Sequence, residues 1–388
     1  MLYHFYMRKN ELKPLRLFII IFGFFILSIL MLSSFKNKEE EIIVEEKTEG
    51  IEIISGIKDN TNKEKIYLAV GDSYKLSYEI ISNKKDTKET INYSSSDENI
   101  VVVDENGLVK AINPGEITLA ITCRSHAIYI DVVSTDLILP IDNDVLYTKP
   151  NLKCNTFTED DNHLLDAILE DRINDAGYNT RAGVIAAARF LLLEFPYRIE
   201  YFSENGRLAN GIDGEGRYYH KGLYLSESKF KDLKGSSSKP KCWGCSLYSG
   251  PATRSVNNDL DCSGFVTWVL LNGGFDVGDV GAGGINYSKK SLFYFGDREN
   301  ISLENISKIQ AGDLVHNEKG GGHIGVVVGV SENKIYVGQA TWPESRYFKK
   351  PYGVTLTEYT FEEFAKDWNE VMLMDSYYKE NGNYTAMW

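Results

Sequence analysis

The sequence predicts a multidomain protein: an N-terminal transmembrane helix, then an all-β sandwich, then an α+β domain. Three observations predict this order. Residues 17–35 carry no charge, short alternating apolar runs begin near residue 57, and helical and strand patterns are mixed after about residue 159. The 388 residues suffice for two or three domains. The net charge of −13 argues against a nucleic-acid-binding protein, which would carry a basic face.

The apolar run 17–35 is long enough to cross a bilayer core of roughly 30 Å. An acidic linker, 36–56, follows it, and four basic residues precede it: Arg8, Lys9, Lys13 and Arg16. The positive-inside rule therefore places residues 1–16 in the cytoplasm as a basic tail and everything after about residue 36 outside the cell. We expect a single-pass membrane protein with its domains extracellular. A cleaved signal peptide is the alternative, although the run is long for one and "LSSF" is a poor cleavage site.

Residues 57–137 contain short runs such as "KIYLAV", "EITLAITC" and "AIYIDVV", separated by turn signals. Many short strands at this spacing indicate an antiparallel β-sandwich. The stretch from "LAVGDSYKLSYEI" to "NPGEITLAI" closely resembles the group 2 bacterial Ig-like domain. The resemblance implies a spacer or adhesive module with no chemistry of its own. Cys123 lies in its last strands, and we expect a small core residue there.

Residues 138–158 indicate an irregular connector, and the C-terminal domain is expected at 159–388. Two helical patterns open this domain, at about 160–175 and about 180–194, the second with Thr180 as a plausible cap. Residues from about 203 to 258 are rich in Gly, Ser, Lys and Tyr without a clear period. We expect a long insertion or lid there.

The segment "CSGFVTWVLLNGG" places apolar residues at the spacing of one helix face, starting at Cys262, and Gly273 and Gly274 supply a stop. Unpaired N–H groups in a first helical turn carry partial positive charge, which favours the nucleophilic thiolate. Ser263 and Gly264 are small enough to let a substrate backbone approach. A buried structural cysteine that starts a core helix explains the position of Cys262 alone equally well.

A thiolate nucleophile needs a base, usually a histidine oriented by a third polar group. Four of the six histidines lie in the tail, the sandwich, the first helical pattern and the insertion: His4, His126, His163 and His220. His316 and His323 remain, and His323 opens the strand "HIGVVVGV". After the turn "SENK", the strand "KIYVGQAT" returns with Gln339, which could bond to the imidazole. A histidine at the start of a strand is more often structural. The presence of a helix-opening cysteine in the same domain favours the interpretation of His323 as a catalytic base.

The motifs "DLDCSGFV", "IQAGDLV", "GGHIGVVVGV" and "IYVGQAT", in this order, closely resemble the NlpC-type family of papain-like cysteine peptidases. That family cuts peptidoglycan stem peptides, and the resemblance covers about residues 180–345. It implies a papain-like α+β peptidase domain with Cys262 as nucleophile, His323 as base and Gln339 as the third polar residue. The family more often places a histidine at the third position. The resemblance also implies that Asp313 is structural and that the scissile bond lies near D-glutamate and a diamino acid.

One departure from the family concerns its oxyanion site. The family has a Pro-Tyr element shortly before its Asp-Cys, whereas Tyr197 in "FPYRI" lies much farther away, and Lys241 occupies the tyrosine position in "KCWGCSL". We expect that an insertion splits the element and leaves Tyr197 as the catalytic tyrosine, with Tyr201 and Tyr248 as rivals. The backbone N–H of Cys262 is a second oxyanion donor.

The motif "CWGC" lacks the second pair of ligands of a zinc site and the βαβ setting of a redox pair. A Cys242–Cys245 disulfide is therefore expected. No metal and no cofactor are expected, since no H-E-x-x-H motif, phosphate loop or dinucleotide fingerprint occurs. The sequence predicts a cell-wall hydrolase acting on peptidoglycan stem peptides. The alternatives are a surface adhesin or wall-binding protein with an inactive peptidase-like domain, and a different thiol acyl-transfer activity (amidase or transpeptidase).

Overall fold

The computed structural model describes residues 52–84, 88–141, 149–201, 220–225, 241–248, 256–277, 296–318, 322–341 and 353–379. Within these ranges, no helix combines the length and the apolar character needed to cross a membrane. The predicted transmembrane helix at 17–35 and the basic tail at 1–16 lie outside the described residues, as does most of the charged linker.

The predicted β-sandwich is confirmed. Its strands are β1 Ile54–Asp59, β2 Lys65–Ala69, β3 Ser73–Lys75, β4 Tyr78–Ser82, β5 Asn92–Ser95, β6 Val101–Val103, β7 Leu108–Ala111, β8 Gly115–Cys123 and β9 His126–Thr135. One sheet has the order β2-β9-β8-β5, a second has the order β3-β7-β6, and β1 pairs with β4. The first strand thus begins inside the segment expected to be linker. Buried residues alternate along β8 and end at Cys123, which is fully buried as expected.

The helices of the C-terminal domain are α1 Glu159–Ala176, α2 Arg181–Arg189, a π-helix Phe190–Glu194, α3 Cys262–Asn272, a 3₁₀ turn Ile306–Lys308, α4 Phe361–Asp367 and α5 Asp375–Tyr378. Its strands are β10 Tyr224–Leu225, β11 Lys241–Cys242, β12 Ser246–Tyr248, β13 Val256–Asn257, β14 Asp297–Asn300, β15 Leu314–Asn317, β16 His323–Val330, β17 Lys334–Thr341, β18 Gly353–Thr360 and β19 Glu370–Leu373. Helices and an antiparallel sheet together form an α+β domain.

A six-stranded antiparallel sheet in the order β14-β19-β15-β16-β17-β18 forms the centre of this domain. Helix α3 packs on β16 and β17, and α2 packs on α3. Asp313 joins α2 to the sheet, because its carboxylate accepts from the Arg181 guanidinium at 2.9 Å and from the backbone N–H of Met374 at 3.0 Å. Both Arg181 and Asp313 are buried, so these bonds hold the fold together.

Parts of the predicted insertion belong to the core of the domain. Strand β10 pairs with β11, and β12 pairs with β13. Leu223 and Trp243 are buried in the same apolar cluster as Phe265 of α3. The described pieces of residues 203–258 therefore support α3.

The sandwich is packed against the α+β domain within one compact unit, Ile54–Trp388. Arg172 of α1 donates to the carbonyl of Tyr67 in β2 at 3.0 Å and to Glu194 at 3.0 Å. The backbone N–H of Leu139, just after β9, donates to the carbonyl of Glu194 at 2.7 Å. Arg172 thus contacts both the sandwich and the buried Glu194 carboxylate.

Candidate active site

Cys262 is the first residue of α3, and the residue is 8% exposed. Asp261 caps this helix: its Oδ1 accepts from the backbone N–H of Gly264 at 2.6 Å and from the Ser263 hydroxyl at 2.9 Å. Asp261 is also the residue that turns the chain from extended backbone into the helix. The sulfur therefore lies at the end of α3 where the partial positive charge is concentrated.

His323 is the first residue of β16, one of the two strands that α3 contacts. Its imidazole stacks on the Trp368 ring, with centroids 5.4 Å apart and an angle of 23° between planes. Burial lowers the pKa of His323 to about 4, against an opposing effect of its hydrogen bond to Gln339. The imidazole is therefore neutral at pH 7.

Gln339 lies on β17 beside His323, and its Oε1 is 2.7 Å from Nε2 of the imidazole. The Gln339 amide nitrogen donates to Thr357 Oγ1 at 2.8 Å and to the Tyr359 hydroxyl at 3.2 Å. These two acceptors on β18 set which end of the amide faces the imidazole. The amide oxygen can only accept, so Nε2 carries the proton and Nδ1 is the basic nitrogen.

Close approach of the sheet to α3 depends on Gly338, the neighbour of Gln339. A side chain there would come within 2.6 Å of Leu192 Cδ1 and 3.2 Å of the Phe265 ring. Because Phe265 lies on the first turn of α3, a larger residue at this position would push the start of the helix off the sheet. Gly338 thus keeps the strand of Gln339 against the helix of Cys262.

The chain that enters α3 is held on two sides. On one side the backbone N–H of Leu260 donates to the carbonyl of Glu200 at 3.2 Å. On the other side Asn258 exchanges backbone hydrogen bonds with the turn at 242–245: its N–H donates to Cys245 at 3.0 Å, and its carbonyl accepts from Gly244 at 3.4 Å. The approach to Cys262 is therefore fixed by backbone contacts before the helix begins.

The three tyrosine candidates occupy different places. Tyr197 is half-buried, with its ring edge-on to Phe157 at 5.4 Å, in an aromatic cluster. Tyr201 forms a parallel β-bridge with Leu260. Tyr248 pairs with Val256 in the short β12–β13 ladder. Of these three, Tyr201 has its backbone paired nearest to Cys262 along the chain, which favours it over Tyr197 as a neighbour of the nucleophile.

The other described histidines have other contacts. His316 Nδ1 lies 3.1 Å from a carboxylate oxygen of Glu370, and burial lowers the pKa of His316. His220 Nε2 accepts from the Trp243 indole at 3.1 Å. His126 bonds to the backbone carbonyl of Ile54, and His163 is exposed on α1. His4 lies outside the described residues.

Sequence reasoning missed Thr357, Tyr359 and Trp368. Thr357 and Tyr359 lie two positions apart in "GVTLTEYT", an alternating pattern that places them on one face of a strand. That alternation predicts a strand, but which strand it pairs with is a matter of tertiary structure. Trp368 carries no local pattern that points to an imidazole.

The expected Cys242–Cys245 disulfide is wrong. The disulfide joins Cys154 to Cys245, 91 residues apart, and Cys242 keeps its thiol. The error arises because sequence spacing alone does not decide which cysteines pair, and the fold brings Cys154 to the same turn. Among the described residues, no group of three or more His, Cys, Asp and Glu side chains is arranged to hold a metal ion.

The sandwich is a bacterial Ig-like domain of group 2. The family model described as "Bacterial Ig-like domain (group 2)" matches residues 60–125. This match lies within the sandwich and does not extend into the α+β domain.

Three solved structures that resemble part of the chain are of an S-layer protein. They include "S-layer protein SbsC domains 4 and 5" at 14% identity and a TM-score of 0.20, covering 22% of this chain and 54% of that one. The S-layer protein rSbsC(31-844) matches at 13% identity and a TM-score of 0.21, and the match covers 25% of this chain and 15% of that one. SbsC domains 5-6 match at 14% identity and a TM-score of 0.20, and the match covers 28% of this chain and 58% of that one. No curated protein matches the chain.

Proposed function

We propose that this protein is a membrane-anchored, outward-facing cell-wall hydrolase that cuts peptide bonds in peptidoglycan stem peptides with Cys262. One observation carries the proposal. A cysteine starts a capped helix that packs on the strands of His323 and Gln339, and those two side chains are joined by a 2.7 Å hydrogen bond. Thiol acyl transfer uses a nucleophile, a base and a group that orients the base, and these three residues are of the types that can supply them.

The reaction has two stages. In the first, the Cys262 sulfur attacks the amide carbonyl while Nδ1 of His323 takes the thiol proton, and the backbone N–H of Cys262 donates to the oxyanion. His323 then gives its proton to the leaving amine, and a thioester remains. In the second, His323 activates a water molecule that hydrolyses the thioester and restores the thiol. Gln339 stabilises the imidazolium only through the dipole of its amide, because it carries no charge.

The anchoring part of the proposal rests on sequence. The apolar run 17–35 with its basic flank holds the chain in the membrane, and the Ig-like domain presents the α+β domain to the wall. Protease added to cells without a thick wall should degrade the domains after residue 36. Full protection of those domains would reverse the orientation.

The test is digestion of purified peptidoglycan by the full chain in detergent, with the soluble fragments identified by mass. The sandwich stays in the experiment because it is packed against α1. We expect stem-peptide fragments from the wild type and none from Cys262→Ala. His323→Gln should lower the rate by at least the general-base factor of roughly 10²–10⁴. The matched control is His316→Gln, a second buried histidine on the neighbouring strand, which should keep most of the activity.

The outcomes separate the alternatives. Release of the same fragments by Cys262→Ala would refute the proposal. Binding of the wild type to peptidoglycan without any fragments would favour the adhesin. New cross-links or amidated products in place of cleaved stems would favour a different thiol acyl transfer.

A further inference from the structure

Three of the five cysteines converge beside the segment that leads into α3. Cys154 of the connector is bonded to Cys245, with Cα atoms 4.3 Å apart. The thiol sulfur of Cys242 lies 3.9 Å from the Cys245 sulfur. Cys242 and Cys245 are buried, at 7% and 2% exposure, whereas Cys154 is exposed. A thiol is thus in contact with one sulfur of a disulfide whose other cysteine is an exposed residue.

We propose that these residues form a thiol–disulfide exchange site with two interchangeable bonds. The Cys242 thiolate attacks the Cys245 sulfur, the Cys154–Cys245 bond breaks, and a Cys242–Cys245 bond forms. Cys154 leaves as a thiolate and takes up the proton that Cys242 lost. One S–S bond is broken and one is made, so the step needs neither oxidant nor reductant. This proposal does not rest on the hydrolase function, because Cys262 takes no part in it.

Local geometry brings the attacking and attacked sulfurs together. The backbone N–H of Cys245 donates to the carbonyl of Cys242 at 3.3 Å, which closes a tight turn around Trp243 and Gly244. Gly244 has a φ of 78°, a value that glycine adopts without strain. A turn that already holds the two sulfurs at 3.9 Å needs little rearrangement to bond them. Cys154, which carries the leaving sulfur, is an exposed residue, and exposure favours solvation of the thiolate.

The exchange changes what the disulfide ties together. The Cys154–Cys245 bond fixes the connector, which follows β9 of the sandwich, to the turn at 242–245. In the other isomer that turn is closed on itself and the connector loses its covalent attachment. The turn also exchanges two backbone hydrogen bonds with Asn258, close before Cys262 in the chain. The two isomers therefore differ in how firmly the connector and the approach to α3 are held.

The test is maleimide trapping on the non-reduced full chain carrying Cys262→Ala, which removes the other reactive thiol. N-ethylmaleimide is added at pH 8, samples are quenched in acid, and peptides are mapped by mass without reductant. We expect label to accumulate on Cys154 while Cys154–Cys245 peptides are replaced by Cys242–Cys245 peptides. At high maleimide the rate should not depend on its concentration, because the intramolecular exchange is limiting.

The matched control is Cys242→Ser in the same background, which removes the attacking sulfur and should leave Cys154 unlabelled and the Cys154–Cys245 bond intact. Label on Cys242 with the Cys154–Cys245 bond retained would overturn the proposal. Equal labelling of Cys154 with and without Cys242 would do the same. If Cys242→Ser does not fold, the labelling rate of the Cys262→Ala chain at different maleimide concentrations decides. A labelling rate proportional to the maleimide concentration would contradict an intramolecular step.

Discussion

At the scale of single residues, the side chains that set the chemistry of the imidazole lie on three adjacent strands. His323 is held by Gln339, and Gln339 is held by Thr357 and Tyr359. Removal of either acceptor on β18 would let the amide rotate and present its NH₂ group to Nε2. The proton would then move to Nδ1, and the nitrogen that serves as base would be lost.

Gln339→Glu is expected to raise the pKa of His323 from about 4 by about 1–3 units, because a carboxylate beside Nε2 stabilises the imidazolium. Thr357 and Tyr359 can donate to the new carboxylate. Proton NMR titration of the His323 ring checks this. Gln339→Met, which is similar in size and adds no charge, serves as the control for packing changes. An unchanged titration in Gln339→Glu would contradict the geometry of this pair.

Acidification is expected to destabilise the fold through His323. Burial lowers its pKa to about 4, whereas an unfolded histidine titrates near 6.5. Above pH 6.5 both states are neutral; as the pH falls toward 4, the unfolded state binds a proton that the folded state rejects. The free energy of unfolding should fall by up to roughly 3 kcal/mol over this window.

Urea unfolding at pH 7 and at pH 4.5 measures this loss. In His323→Gln the free energy of unfolding should differ less between the two pH values. The buried His316 should account for part of the difference that remains. His163→Gln, on the exposed face of α1, should leave the difference as in the wild type. A His323→Gln chain with the full acid sensitivity would show that other groups cause it.

At the scale of elements, α3 follows from signals close in sequence. The predicted start at Cys262 and stop at Gly273 both hold, because Asp261 caps one end and the Gly273 N–H bonds back to Val269 at the other. Helix α1 is equally local: Thr158 and Asp161 form a reciprocal capping box. Such ends can be predicted because each partner lies within a few residues.

Asp261→Ala should lower the free energy of unfolding by about 0.5–2 kcal/mol and expose the amide of Gly264 to faster hydrogen exchange. Asp261→Asn, which keeps an acceptor, should retain most of the protection. Thr158→Ala removes the cap of α1 and should leave exchange at Gly264 unchanged. Equal exchange in Asp261→Ala and the wild type would mean that packing alone fixes the first turn.

The second predicted helix shows where sequence patterns fail. The expected helix at 180–194 is α-helical only over Arg181–Arg189 and continues as a π-helix, in which the Phe195 N–H bonds to the carbonyl of Phe190. Lys149, distant in sequence, donates to the carbonyls of Leu191 and Phe195, at 3.1 and 2.6 Å. An apolar run such as "FLLLE" is compatible with either geometry, and the deciding partner lies in another part of the chain.

At the scale of the whole molecule, the packing of the sandwich on α1 could not be predicted. Arg172 is one polar residue of an amphipathic helix, and nothing local pairs it with a carbonyl of β2. Burial raises the pKa of Glu194, and the charge of Arg172 opposes this shift. Arg172 therefore both contacts the sandwich and offsets the burial of the Glu194 carboxylate.

Arg172→Ala should lower the free energy of unfolding by about 3–5 kcal/mol, because it leaves the Glu194 carboxylate buried without its counter-charge. We expect calorimetry to show the sandwich and the α+β domain melting at separate temperatures. Combining Arg172→Ala with Glu194→Gln should restore part of the loss. Arg124→Ala, which breaks an exposed pair with Glu89 at 2.7 Å, should cost less than about 1 kcal/mol. If Arg172→Ala lowered the free energy of unfolding by as little as Arg124→Ala, the role of Arg172 as the counter-charge of Glu194 would be contradicted.

The first and last strands of the main sandwich sheet give the molecule a mechanical property. Strands β2 and β9 run parallel, paired from Lys65 with Asp131 to Ala69 with Thr135. Tension on the chain before β2 and after β9 pulls on opposite ends of this ladder, so its hydrogen bonds are sheared together rather than opened one at a time. The β8–β9 hairpin, pulled at its open end, would unzip at lower force, and single-molecule stretching in the two directions would measure the difference. The sandwich is thereby built to transmit strain along the chain without extending.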